Sequence, residues 1–105
     1  MTSGLHEHLV AAVRDLARPP EEQVALLAKQ GLGNADELAL EFDACFAPLK
    51  EVLPAETAEV LGELNVLLNE MSGPTGPWSF EALAAAPEWE RVRALATRAL
   101  ALPAG

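Results

Sequence analysis

The chain has 105 residues, a formal net charge of −9, 50% hydrophobic residues and one cysteine. That length suits one domain with a core of its own, and the negative charge argues against a phosphate backbone or an anionic membrane surface as the main partner. A lone cysteine excludes an internal disulfide and, by itself, a zinc site.

Alanine (20) and leucine (18) dominate, against 7 valines and no isoleucine or tyrosine. Good helix formers are abundant and good strand formers scarce. Residues 1–105 are therefore read as a single all-α domain, a compact bundle of five or six helices with no significant sheet. The Met1-Thr2-Ser3-Gly4 start has neither a basic nor an apolar leader region, and no apolar run approaches the roughly 20 residues of a membrane span. The expectation is a cytoplasmic protein that does not use a membrane.

Ser3 is the expected N-cap of a first helix, in which Leu5, Leu9, Val13 and Leu16 recur at helical spacing until Pro19-Pro20 stops it. Those prolines open a second helix. Glu21 and Glu22 suit the positive end of its first turn, Val24, Leu27 and Ala28 form its inward stripe, and Gly31 ends it.

Asn34 to Leu53 reads as the central element. Asn34 with Glu37 fits a capping box, and Leu38, Phe42, Cys45, Phe46, Leu49, Val52 and Leu53 share one broad apolar face. Leu40, Ala44 and Ala47 fall nearly opposite, so the back of the helix is expected under a neighbouring helix or a partner. Pro48 predicts a kink or break near Ala47, with Pro48 to Leu53 as a following turn. A long fourth helix runs from Pro54 to Met71, with Val60, Leu64, Leu67, Leu68 and Met71 inward. Ser72 to Trp78 is a Gly- and Pro-rich loop. Ser79 then caps a short helix to Ala86, with Trp78 placed to pack on Leu83, and Pro87 starts a last helix whose inward residues include Trp89, Val92, Leu95, Ala96, Ala99 and Leu102.

Gln23 to Glu41 resembles a helix-turn-helix in its glycine turn and two flanking helices. The resemblance would imply DNA binding. Leu27 stands where that motif prefers a small residue, Glu37 where it expects a buried apolar one, and the would-be recognition helix opens Asn34-Ala35-Asp36-Glu37, aiming carboxylates at phosphates. Nucleic acid is accordingly not expected as a partner.

His6 and His8 point about 200° apart on a helix and cannot share a metal, and no other histidine exists. Cys45, between Phe42 and Leu49, reads as a small buried hydrophobe with no base beside it rather than a nucleophile. No metal, cofactor or catalytic residue is expected.

The remaining feature is the charge of the middle of the chain, where nine acids from Asn34 to Glu70 face the single Lys50. Glu37 and Glu41 lie one turn apart on the central helix, and Glu56, Glu59, Glu63 and Glu70 form a narrow band on the fourth. Like charges at that spacing cost a helix about 0.2–0.5 kcal/mol per pair. A solvated face that keeps the protein soluble accounts for them. The functional alternative is a docking surface of Glu37, Glu41, Glu56, Glu59, Glu63 and Leu40 for a protein with a basic surface. In kind alone, small, acidic and helical, the chain resembles immunity proteins that neutralise nuclease toxins, which would imply a non-catalytic inhibitor. Two further classes are a helical subunit that associates with itself through Leu40, Ala44 and Ala47, and a small-ligand carrier or enzyme.

Overall fold

Proline and glycine set most of the element boundaries in the computed structural model, which describes residues 4–31, 35–71 and 76–102. Those residues form six helices and no strand: α1 (Gly4–Ala17), α2 (Pro20–Lys29), α3 (Asp36–Phe46), α4 (Ala55–Glu70), α5 (Phe80–Ala85) and α6 (Pro87–Ala101). The all-α bundle expected from composition is the observed fold.

Pro20 and Pro87 occupy first-turn positions, where their missing N–H costs no bond. Gly31 follows α2 with φ +76°, the left-handed conformation that closes a helix and that glycine takes without a side-chain clash. Ser79 caps α5, its hydroxyl accepting from the Ala82 N–H. The caps expected at Ser3 and Asn34 lie outside the described residues; α3 begins at Asp36 with Ala35 in the cap position.

Pro48 breaks rather than kinks its helix. Without its N–H the ladder stops, α3 ends at Phe46, and the chain continues in tight turns in which Leu49 N–H bonds Phe46 O and Val52 N–H bonds Leu49 O. The helical wheel therefore ceases to apply beyond Phe46. Leu49 is still buried, but Val52, expected on the core face, is 75% exposed. Ala28 is likewise exposed, because the inward stripe of α2 is centred on Gln23 and Leu27.

The core draws buried side chains from all six helices, among them Leu9, Val13 and Leu16 of α1, Leu27 of α2, Phe42 and Phe46 of α3, Leu61, Leu64 and Leu67 of α4, Leu83 of α5, and Trp89, Val92 and Ala96 of α6. Its organising element is α6, which packs on α1, α4 and α5, whereas α3 rests mainly on α1 and only lightly on α4. The central role expected for α3 thus belongs to α6. Trp89 supplies bulk there, and Leu9 and Val13 of α1 lie beside Ala99 of α6. The Cα radius of gyration is 13.2 Å, close to the ~13 Å of a compact chain this long. No helix among the described residues is long and apolar enough to cross a membrane.

One buried polar group ties four helices together. Gln23 is fully buried, and its Nε2 donates to the carbonyls of Asp15 and Leu16, each at 3.1 Å. Both belong to the last turn of α1, whose carbonyls have no partner within the helix. Arg93 of α6 donates from Nε to Gln23 Oε1 at 3.2 Å and from Nη2 to Leu83 O, a last-turn carbonyl of α5. Burial pulls the Arg93 guanidinium's pKa down, opposed by the carboxylates of Glu90 and Glu21.

Cys45 is buried as expected. Burial first, and the neighbouring Glu41 carboxylate second, push its thiol pKa up. Above the ordinary thiol pKa, about 8.5, the unfolded chain has released this proton while the folded chain still holds it. Folding stability is therefore expected to fall as pH rises from there through the higher folded pKa. Urea melts across that alkaline range should show the slope in wild type and its loss in Cys45→Ala.

Candidate functional site

Four of the six residues expected to form one acidic docking surface are distributed over three depressions, and Glu56 and Glu59 line none of them. Glu37, half-buried, and Glu41, exposed, lie one turn apart on α3 and line a cleft of about 240 Å³ with Asp15 of α1 and Gln30 of α2. Leu40, on another side of α3, is 60% exposed and lines a smaller groove of about 150 Å³ against α4, beside Asp36, Asp43 and Trp78. Ala44 and Ala47 are exposed too, so no helix among the described residues covers that strip. Glu56, Glu59 and Glu63 are exposed along α4, and Glu63 lines a third depression together with Glu70.

That third depression is an open trough of about 610 Å³ along the seam of α4 and α6. Buried Leu67 and half-buried Leu95 supply its apolar floor, and Gly62, Val66 and Ala94 line it farther out, Val66 and Ala94 with exposed side chains. Glu63 and Glu70 stand on the α4 edge and Arg91 on the α6 edge, none of them ion-paired with another described residue. Val66 is 55% exposed.

Gly62 was not an expected site residue, yet its position is informative. A glycine inside a helix costs about 0.5–1 kcal/mol relative to alanine. Packing within the protein does not call for it, since a Cβ built at Gly62 meets nothing within 4 Å. Gly76 is the opposite case, because a Cβ there would collide with the Met71 carbonyl and the Trp78 ring. The sequence shows a glycine inside the fourth helix; the open space above it and the seam with α6 belong to the tertiary structure.

The helix-turn-helix resemblance gains nothing from the packing. The main contact of α2 is with α5 and that of α3 is with α1, so the loop between them does not join a pair packed chiefly on each other. Leu32 to Asn34, the end of that loop, lie outside the described residues. His8 is exposed, and the side chain of His6 is not among those described. Arg18, at the α1–α2 junction, pairs with Asp15 at 2.8 Å and Glu22 at 3.3 Å, and its pKa is raised first by the hydrogen bond it donates to Asp15. These are exposed pairs of small energetic weight.

No family model, curated protein or solved structure matches this chain. Residue roles therefore rest on the chain's own chemistry.

Proposed function

We propose that the chain is a non-catalytic protein-interaction module that docks a partner with a basic surface, as an inhibitor or immunity-type protein would. The observation that carries this reading is the pairing of solvent-facing apolar residues, Leu40 and Val66, with carboxylates beside them: Asp36 and Asp43 for the first, Glu63 and Glu70 for the second. Apolar side chains left in water gain from being covered, and the surrounding negative field selects and steers a cationic partner. Glu37, Glu41, Glu56 and Glu59 extend that field along α3 and α4.

Reversing Glu59 and Glu63 to lysine is expected to slow association with the partner, the loss shrinking as salt rises. Stability should hold or improve slightly, because the reversal turns the like-charge neighbours Glu56 and Glu59 into an opposite pair and leaves the repulsion between positions 59 and 63 as it was. A pull-down from the source cell at low salt, wild type and reversed chain in parallel, makes the comparison. An identical partner list for the two would overturn the reading.

The exposure of Leu40, Ala44 and Ala47 favours a second reading, self-association through that strip. It is the weaker of the two because a second copy brings Asp36 and Asp43 against their own kind. Sedimentation of wild type and Leu40→Glu over a range of concentrations separates the readings.

A further inference from the structure

We infer that the trough between α4 and α6 seats an amphipathic helix with one basic flank, and that the missing side chain of Gly62, on the outer rim of the trough, lets that helix lie closer to α4. The inference rests on the basic-partner reading above and names the surface and the shape of that partner. Three observations meet in the trough. First, its α4 side runs from Gly62 to Glu70, about 12 Å at the rise of a helix, which matches two turns of a helix lying along it. An open channel with an apolar floor and few polar groups suits aliphatic anchors at i, i+3 or i+4 and i+7 better than a small molecule, which a closed pocket with convergent polar groups would enclose.

Second, Gly62 leaves space that no described residue fills. A side chain missing from a helix surface lets a second helix approach more closely than any other residue allows. Third, Glu63 and Glu70 lie seven residues apart on one edge and are not ion-paired with any described residue. Basic residues seven apart on a seated helix would stand over both carboxylates. Arg91 on the opposite edge disfavours a helix that is basic on both flanks, and so fixes which way round the occupant lies. A second copy of the chain meets the trough less well, since it would present the same carboxylates and a net charge of −9.

The test uses synthetic fluorescent helical peptides of about four turns, with leucine along one face and arginine along one flank; a second set carries glutamate in place of arginine. Binding is read by anisotropy, and its location by backbone amide shifts. The arginine peptides are expected to saturate wild type, to shift amides of residues 62–70 and 91–95, and to exceed the glutamate peptides in affinity by at least about tenfold at low salt. Gly62→Ala is expected to raise the melting temperature while lowering peptide affinity severalfold, and Gly62→Phe to lower affinity by about tenfold or more.

Unchanged affinity in both Gly62 variants, or shifts centred on residues 37–41, would overturn the trough while leaving the basic-partner reading in place. Equal binding of arginine and glutamate peptides in the trough would remove the basic flank and that reading with it. A protein that dimerises through the trough, or one that binds no peptide of either set, overturns the inference. In the last case the pull-down decides separately whether a basic partner docks elsewhere.

Discussion

Replacing Trp89 by alanine is expected to cost about 3–5 kcal/mol of folding stability, one of the two largest effects of any single substitution considered for this chain. The residue is fully buried on α6, the helix against which α1, α4 and α5 pack. Its truncation leaves a cavity at that meeting point, and it also breaks a polar chain. The Trp89 Nε1–H donates to Pro77 O at 2.6 Å, and the ring meets Trp78 edge-on at 5.6 Å. Trp78 in turn donates from Nε1 to Met71 O at 2.9 Å, and its own carbonyl accepts from Ala35 N–H at 2.8 Å. The two indoles thereby fasten the segment before α5 to the end of α4 and the start of α3. Denaturant melts of Trp89→Ala and Trp89→Phe give the comparison: the phenylalanine variant keeps most of the bulk and should recover most of the loss. Equal losses for the two would place the weight on the hydrogen bond instead.

Gln23→Leu is expected to cost at least about 2 kcal/mol, although it adds an apolar side chain to an apolar site. It leaves the Leu16 carbonyl without its donor, leaves the Asp15 carbonyl only the long 3.4 Å bond from Arg18 N–H, and takes from Arg93 the oxygen that accepts from its Nε. Buried groups left without partners cost more than a hydrogen bond gains. Adding Arg93→Leu should then do less harm in the Gln23→Leu background than in wild type, since the charge left short of a partner is removed with it. A double-mutant cycle by urea denaturation measures this, and strict additivity would show the two side chains to act independently.

Most helix ends were legible in the sequence because they are local: prolines at 20 and 87, Gly31, the Ser79 cap and the Pro48 stop each act on the backbone beside them. The inward residues of α4 and α6 were legible for the same reason, since a helical period reports which side is apolar. What a period cannot report is which helices meet. The place of α6 at the centre followed from its contacts with three others, not from its composition, which is less apolar than that of α3. Gln23 carried no signal of its role in the sequence because its partner Arg93 is 70 positions away. The expected acidic site was half legible: the exposure of Glu41, Glu56, Glu59 and Glu63 followed from their stripes, but the placing of Glu41 in the α1–α2–α3 cleft and of Glu63 in the α4–α6 trough is set by tertiary packing. Val52 was misplaced because the wheel was carried past a proline.

The burial of Gln23 bears on how the chain reaches its fold. A helix is usually finished by residues next to it in sequence, so that its ends are decided before it meets anything else. Here the last turn of α1 is completed by a side chain from α2, and a carbonyl of α5 by the guanidinium of α6. Neither end is complete in an isolated segment, and short helices in water are marginal by themselves. Secondary and tertiary structure are thereby made to arrive together, which binds a chain of many short helices into one cooperative unit instead of a string of separately fraying pieces.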